Sequence, residues 1–176
     1  LAGFQEKRWV MTISFRYRIE YGALRVFAFL VRSLPRQTAC KLGGRLGILA
    51  GMVLTGRFRL AEDNLRRAFP GWSRRKVRTV CWSNFQHVGI SAAEMLRLDL
   101  LSRNKADLKN YYRIHGLEHL QQAEAMQRGV ILLTGHLGFW EIGNHIPSVL
   151  GYPCSALAKP MKNPLADRYF RDLRQT

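Results

Sequence analysis

The sequence has few acidic residues, and this shortage determines its most obvious physical property. Only 12 Asp and Glu stand against 28 Lys and Arg, which gives a formal net charge of +16 and a pI near 10.7. A chain with such an excess of positive charge calls for an anionic partner. Three classes of partner qualify on charge: nucleic acid, anionic lipid and acidic protein.

Cysteines are also scarce. Cys40, Cys81 and Cys154 are widely separated and show no CxxC spacing. Because three cysteines cannot all pair, neither a disulfide framework nor a zinc site is predicted, and a reducing cytoplasmic setting fits best. The first residues carry mixed charge and lead to no small-residue cleavage site, so we expect no cleavable signal peptide and no export.

Long hydrophobic runs are missing. Residues 46–55 carry no charge, but they number only about half of the roughly 20 residues that span a bilayer. Residues 18–34 are apolar apart from Glu20 and three arginines seven apart, Arg18, Arg25 and Arg32, which predict one basic stripe on a helix. Together the segments predict an interfacial or shallowly embedded helical hairpin whose arginines reach anionic head groups. Two ordinary core helices of a soluble domain are the alternative.

Helical patterns dominate the first hundred residues. Residues 57–69 form a charged helical pattern that ends at Pro70-Gly71, and Ser73 is a predicted N-cap for a long helix reaching about Leu98. Apolar residues recur along that helix at three- and four-residue spacing, which predicts a stripe facing the core. These residues are Val77, Val80, Cys81, Phe85, Val88 and Met95.

From residue 111 short apolar runs alternate with helical patterns. The predicted strands are residues 111–114, 130–134 and 154–158, and the predicted helices are 117–128, 139–150 and 164 onward. This alternation predicts an α/β fold with a parallel sheet and right-handed crossovers. We therefore expect two regions, a membrane-associated helical region at 1–56 and a partial parallel-sheet domain at 57–176. The second is expected to be C-terminally truncated, because the sequence stops inside an amphipathic helix.

The most informative stretch is GVILLTGHLGFWE at residues 129–141. In the predicted fold, His136 follows the end of a buried strand, and Glu141 lies in the first turn of the next helix. Ligands and catalytic groups in open α/β sheets gather at the carboxyl ends of the strands. On one continuous helix the two side chains would point about 140° apart, whereas a loop between them lets them converge.

This pair suits acyl transfer to a hydroxyl. The attacking oxygen must lose its proton to a base that works near neutrality, and His136 supplies one. A helix N-terminus disfavours the imidazolium and favours the anion of Glu141, which would fix the imidazole tautomer. Backbone N–H groups around Gly138 are candidate donors to the oxyanion.

Three motifs resemble one known family. GVILLTGHLGFWEIG closely resembles the catalytic motif, His then four residues then an acidic residue, of the bacterial lipid A biosynthesis acyltransferases of the lauroyl and myristoyl type. DNLRRAFP at 63–70 and KPMKNP at 159–164 are similar to two further elements of that family, in the same order. The resemblance runs from about residue 18 to the end of the chain.

The resemblance implies a membrane-bound O-acyltransferase at the cytoplasmic face of the bacterial inner membrane. Such an enzyme moves a fatty acyl chain from acyl carrier protein to a hydroxyl of a phosphorylated lipid A precursor or related glycolipid, without a cofactor or metal. His136 carries over as the base and Glu141 as its acidic partner. The excess positive charge then matches the anionic inner leaflet, the sugar phosphates and acyl carrier protein.

The same resemblance places Lys159 and Asn163 in the substrate site, although many relatives have Arg at the position of Lys159. Arg168 and Arg171 would contact phosphate or the carrier protein, or else form a solvated helix face. A different constellation, the H-x-x-E-H pattern at residues 115–119, matches a zinc-protease motif by letters, but Gly116 and the lack of a third ligand favour an ordinary turn.

Two rival functions remain open at the level of sequence. An inactive membrane-associated fragment of the same family fits the expected truncation. A basic nucleic-acid-binding module is supported by charge alone, because no nucleic-acid-binding fingerprint is present and the aromatic residues form no basic stacking face. We therefore expect no nucleic acid among the partners.

Overall fold

The computed structural model describes residues 13–102 and 112–174, and within these ranges the chain is helical without a strand. In chain order the helices are α1 (Phe15–Ser33), α2 (Arg36–Val53), α3 (Thr55–Ala68), α4 (Arg74–Met95), α5 (Leu98–Ser102), α6 (Leu117–Ala125), α7 (Ile142–Val149) and α8 (Pro164–Arg174). None of the helices in the described ranges is long and apolar enough to cross a bilayer.

The predicted α/β fold with a parallel sheet is wrong for the residues that the structure describes. Residues 130–134 and 154–158 have irregular backbone, as do 112–114, and residue 111 lies outside the described ranges. Ile131 and Leu133 expose 97% and 98% of their surface. A parallel strand is stabilised by hydrogen bonds to its neighbours, and an apolar run has the same sequence pattern whether or not a neighbour lies beside it.

The predicted helices of the N-terminal region are confirmed. Helix α1 ends at Ser33 because Pro35 disfavours a helical conformation at Leu34, whose φ and ψ are −97° and 153°. Helix α4 starts where predicted, since the Ser73 hydroxyl accepts a hydrogen bond from the Lys76 backbone N–H at 3.3 Å.

Helices α2 and α4 make the closest contact of the fold. Glycines of both helices meet there, and a Cβ atom on Gly89 would overlap the Gly43 carbonyl oxygen and lie 2.8 Å from the Gly47 Cα. On Gly51 it would lie 2.9 Å from the Trp82 ring. The two antiparallel helices therefore touch backbone to backbone, which only glycine permits.

Helices α3 and α4 form an antiparallel hairpin around a small aromatic core. The Phe58 ring lies 4.4 Å from the Trp82 ring and 5.7 Å from the Phe85 ring, measured between centroids. Val77 and Cys81 complete this core and are fully buried. The turn between the two helices faces solvent.

The three arginines of α1 do not form one lipid-facing stripe. Arg32 pairs with both carboxylate oxygens of Asp99, at 2.7 Å between Nη2 and Oδ2, and also donates to the Leu96 carbonyl oxygen at 3.0 Å. Arg25 lies over the ring of Tyr169 at 5.6 Å. Arg32 is therefore a link between α1 and α5, and the predicted head-group role is wrong for it.

A buried charged cluster joins α2 to the end of α4. Arg36 Nη2 lies 2.6 Å from Glu94 Oε1, and the Cys40 thiol donates to the same oxygen at 3.1 Å. Burial, followed by this hydrogen bond, raises the pKa of Cys40 to about 11. Burial likewise raises the pKa of Tyr112 to about 12. Both groups are neutral at physiological pH, so Cys40 is a structural thiol here rather than a nucleophile.

Candidate active site

The loop that carries His136 connects α6 to α7 and is fastened to the helical body. Gly129 and Gly138 have φ values of 72° and 56°, in the left-handed region that favours glycine. The Ser91 hydroxyl of α4 donates to the Gly138 carbonyl oxygen at 3.1 Å. Just after the loop, Phe139 and Ile142 pack on a cluster with buried Met95 and Leu98 as its centre.

The His136 side chain is exposed on this loop. Its ring centroid lies 4.9 Å from that of Trp140, with 47° between the ring planes. In the described part of the chain neither imidazole nitrogen has a hydrogen-bond partner. One face of the ring is thus covered by an indole, and both nitrogens are open to a substrate.

Glu141 immediately precedes α7 and is bound by an arginine from α8. Arg174 Nε donates to Glu141 Oε2 at 3.0 Å, and Arg174 Nη2 donates to Oε1 at 2.8 Å. The Glu141 side chain is 17% exposed and that of Arg174 is 38% exposed. Hydrogen bonding to the carboxylate raises the pKa of Arg174. This two-pronged pair is the strongest geometry available to an arginine and a carboxylate.

No hydrogen bond joins His136 to Glu141 among the described residues, and both carboxylate oxygens bind Arg174. The catalytic roles of the histidine and the glutamate stay predictions. Sequence reasoning missed Arg174, which lies 33 residues beyond its partner. The only signal in the sequence was a basic residue in the last turn of an amphipathic helix. Such a residue cannot be assigned to a particular carboxylate from the sequence.

Asn163 is buried and holds α8 in place. Its Oδ1 accepts hydrogen bonds from the backbone N–H of Leu165 at 3.1 Å and of Ala166 at 3.4 Å, which caps the helix. Its Nδ2 donates to the Tyr17 carbonyl oxygen at 2.9 Å and to Glu20 Oε2 at 3.2 Å, which ties α8 to α1. These contacts give Asn163 a role in the fold, and its predicted substrate-binding role stays a prediction.

The other predicted substrate-binding residues are at the surface. Lys159 lies in an exposed irregular segment, and Arg168 is exposed on α8. Arg171 Nη2 donates to Asp167 Oδ2 at 2.6 Å, while the Met161 backbone N–H donates to Asp167 Oδ1 at 2.8 Å. These two bonds, the backbone one first, hold the pKa of Asp167 below its usual value. Asp167 therefore stabilises the turn before α8, next to the segment that contains Lys159.

Two other histidine positions lie outside this loop. His145, on α7, is only 6% exposed, burial lowers its pKa, and its Nε2 has no hydrogen-bond partner among the described residues. It is thus a packing residue. In the H-x-x-E-H segment, His119 Nε2 lies 3.9 Å from Glu118 Oε1, and both side chains are well exposed.

A cavity of about 460 Å³ lies between α1, α5 and α8. Arg25, Arg32, Asp99 and Tyr169 are among its lining residues. None of the predicted site residues lines it, so the cavity is separate from the His136 loop.

Comparison with known proteins identifies relatives. The sequence model of the family described as "Bacterial lipid A biosynthesis acyltransferase" matches residues 11–176. The chain is 29% identical over 150 residues to the lipid A biosynthesis acyltransferase of Haemophilus influenzae, covering 85% of the chain and 46% of that protein. It is 27% identical over 152 residues to the lipid A biosynthesis palmitoleoyltransferase of Escherichia coli, covering 86% and 48%.

A third relative is the lipid A biosynthesis lauroyltransferase of Escherichia coli, 28% identical over 144 residues, with 79% of the chain and 44% of that protein covered. The chain thus spans about half the length of the curated relatives it matches. No solved structure matches the chain.

Proposed function

Because the chain belongs to the bacterial lipid A biosynthesis acyltransferase family, we propose that the protein moves a fatty acyl chain from acyl carrier protein to a hydroxyl of a lipid A precursor or related glycolipid. The observation that carries the proposal is the exposed imidazole of His136. The loop that bears it is hydrogen-bonded to α4 through Gly138, and five residues after the histidine the carboxylate of Glu141 is bound by Arg174. The family match covers this loop entirely.

His136 acts as the general base. It takes the proton of the acceptor hydroxyl as that oxygen attacks the thioester carbonyl, and it returns the proton to the leaving thiolate. Both ring nitrogens are open, as this exchange requires, and the Trp140 ring limits how far the imidazole can turn. General-base catalysis of this kind contributes about 10²- to 10⁴-fold to the rate.

Glu141 is the acidic partner of the base in this proposal, although its carboxylate binds Arg174 rather than His136 among the described residues. It stabilises the imidazolium that forms during transfer, and Arg174 holds its carboxylate in one orientation. The oxyanion of the tetrahedral intermediate takes its hydrogen bonds from backbone N–H groups around Gly138. The Leu137 N–H is not available in this conformation, since it donates to the Gly135 carbonyl oxygen at 2.9 Å.

Cationic side chains recognise the anionic parts of both substrates. Lys159, Arg168 and Arg171 surround the capped turn before α8, and all three are exposed. Phosphate groups on the acceptor sugar and the acidic surface of the carrier protein are complementary to them. Lipid, glycolipid and carrier protein account for the net charge of +16 without nucleic acid.

The site works at the cytoplasmic face of the bacterial inner membrane. Support comes from a row of exposed apolar side chains along one face of α1, which includes Phe15, Ile19, Val26 and Leu30 at 77%, 58%, 62% and 46% exposure. The opposite face buries Ala28 and Val31. A helix that is apolar on two faces packs on the protein with one and lies in a bilayer surface with the other.

An acyl transfer assay tests the proposal in a protein of the relatives' full length that contains this chain. Purified protein is given acyl carrier proteins loaded with chains of different length and a detergent-dispersed lipid A precursor. Ester formation that depends on both substrates is the expected result. A protein that is folded by circular dichroism yet transfers no acyl chain from any donor would support the inactive-fragment alternative instead.

A further inference from the structure

The hairpin tip, residues 66–78, carries six cationic side chains and no acidic one. It comprises the last turn of α3, the turn itself and the start of α4, and it carries Arg66, Arg67, Arg74, Arg75, Lys76 and Arg78, all exposed. Residues 64–93 contain no acidic residue at all. Part of the family-like segment DNLRRAFP lies here, and nothing in the proposed catalysis uses it.

These cations lie where they destabilise the helix that bears them. No acidic residue occurs in the first turn of α4, and Arg74, Arg75 and Lys76 stand at its positive end. Glu62 offsets one of the charges, at 3.7 Å from Arg78. A surface that combines a helix N-terminus with unneutralised cations attracts anions strongly, and phosphate above all.

Aromatic side chains lie among the cations. The Phe69 and Trp72 rings stack with centroids 4.1 Å apart and planes 9° apart, and Lys76 Nζ lies 4.2 Å from the Trp72 centroid. An open cavity of about 510 Å³ is lined by Arg66, Pro70, Trp72 and Arg74. Phe69 is exposed and Trp72 is half-buried. Aromatic rings beside cations are typical of side chains at the head-group level of a bilayer.

We propose that the hairpin tip docks on the phosphate head groups of an anionic bilayer. A lipid surface fits better than an acidic protein because exposed apolar side chains lie on the same hairpin, with Leu60 on α3 and Phe69 at the tip exposing 50% and 43%. Only a bilayer offers hydrocarbon and phosphate side by side. This inference rests on the proposed function insofar as the acceptor is a membrane glycolipid.

The tip and the loop that carries His136 lie at opposite ends of α4. From Arg74 to Ser91, which binds the loop at Gly138, the helix rises about 25 Å. The tip is therefore too far from His136 to take part in chemistry. Its role is to fix the orientation of α4 relative to the lipid surface. The orientation of the loop that carries His136 is thereby fixed as well.

Co-sedimentation with vesicles of phosphatidylglycerol and phosphatidylcholine tests the docking. Each cation near an anionic leaflet contributes about 1 kcal/mol, so Arg66→Gln with Arg74→Gln should weaken binding about thirty-fold. The matched control is Arg113→Gln with Arg128→Gln, which removes the same charge from two exposed positions outside the tip. Equal losses in both double variants would overturn the proposal, since net charge alone would then explain binding.

A second pair of variants separates a bilayer from a dedicated phosphate site. Arg66→Lys with Arg74→Lys keeps the charge but loses the two-pronged geometry of arginine. Vesicle binding within about twofold of the parent is expected, because dispersed head groups need only charge. Loss of binding in the lysine variant, or inorganic phosphate that occupies the tip and blocks vesicles, would overturn bilayer docking in favour of a discrete anion site.

Two further measurements keep this inference distinct from the proposed function. The glutamine double variant should retain acyl transfer to detergent-dispersed acceptor in the full-length protein, because the tip is remote from the loop. A parent protein that binds vesicles but transfers no acyl chain refutes the function and leaves the docking intact. A glutamine variant that binds vesicles normally but loses acyl carrier protein refutes the docking.

Discussion

The N-terminal helical body, residues 13–102, and the C-terminal segment, residues 112–174, use their apolar residues in opposite ways. In the body, α2 and α4 approach until their glycines touch, and Val31, Val77 and Cys81 are fully buried. In the segment, the apolar run that begins at Val130 is exposed. Packing by Phe139, Ile142 and Leu173 combines with polar contacts of Glu141 and Asn163 to hold the segment together and on the body. The body provides close helix packing, and the segment carries the side chains that we propose take part in the reaction.

The difference between the two regions separates stability from chemistry. Substitutions in the body should change the free energy of unfolding through packing. Substitutions in the segment should change the reaction while the body stays folded, because the imidazole of His136 is exposed and makes few contacts. Three variants test this separation, and a fourth, at buried His145, tests how the stability depends on pH.

Gly89→Leu should have the largest effect, because its side chain would overlap the α2 backbone at Gly43 and Gly47. We expect a loss of about 3 kcal/mol or more in the free energy of unfolding, at the upper end of overpacking effects. Thermal unfolding followed by circular dichroism measures it. Gly22→Ala in α1 is the control, since nothing lies within 4 Å of its Cβ, and it should stabilise the helix by about 0.5–1 kcal/mol. A Gly89 variant as stable as the parent would contradict the backbone contact.

His136→Ala should remove about 10²- to 10⁴-fold of kcat in the full-length protein and leave the thermal midpoint unchanged. The reason is that the imidazole is exposed, and in the proposed mechanism it takes the proton of the acceptor hydroxyl. Steady-state acyl transfer measures the effect. His119→Ala, at another exposed histidine, is the matched control. Parent-like turnover without His136 would show that some other group takes the proton.

Arg174→Gln should lower kcat about 10- to 100-fold, the equivalent of a charge-assisted hydrogen bond of roughly 1.5–3 kcal/mol. Glu141 would lose the partner of both its oxygens. Arg174→Lys should recover part of the loss, because it restores the charge without the two-pronged geometry. If KM rose while kcat stayed constant, the arginine would serve substrate binding rather than the orientation of the carboxylate.

His145 should make the stability depend on pH over a narrow window. Burial lowers its pKa below 6.5, so the folded protein binds this proton less readily than the unfolded chain does. Its contribution is fully present above pH 6.5 and is lost as the pH falls toward the lowered pKa. Denaturant unfolding between pH 7 and pH 5 measures the slope. His145→Gln should flatten it, and a slope unchanged by that substitution would contradict the assignment.

Local signals predicted the body well. Ser73 was predicted as an N-cap and is one, and α1, α3 and α4 begin and end within about three residues of the expected positions, whereas α2 begins at Arg36, ten residues before the predicted segment 46–55. These features depend on hydrogen bonds and steric limits within a few residues of the chain. The sequence pattern therefore contains what is needed to predict them.

Long-range features could not be predicted in the same way. The strand predicted at residues 130–134 depended on neighbours that a pattern cannot supply, and the structure has none beside it in the described ranges. The carboxylate of Glu141 was expected to face His136 but binds Arg174 instead. Asn163, expected to bind substrate, caps α8 and ties it to α1. In each case a partner distant in sequence decides the role.

The glycine contact between α2 and α4 has a consequence for the medium in which the protein works. Helices that join through large apolar side chains depend on water to drive them together, and hydrocarbon removes that drive. Helices that join through glycine depend on van der Waals contact and close dipoles, which persist in lipid. The Gly43, Gly47 and Gly89 seam should therefore hold equally in an aqueous buffer, a detergent micelle and the edge of a bilayer.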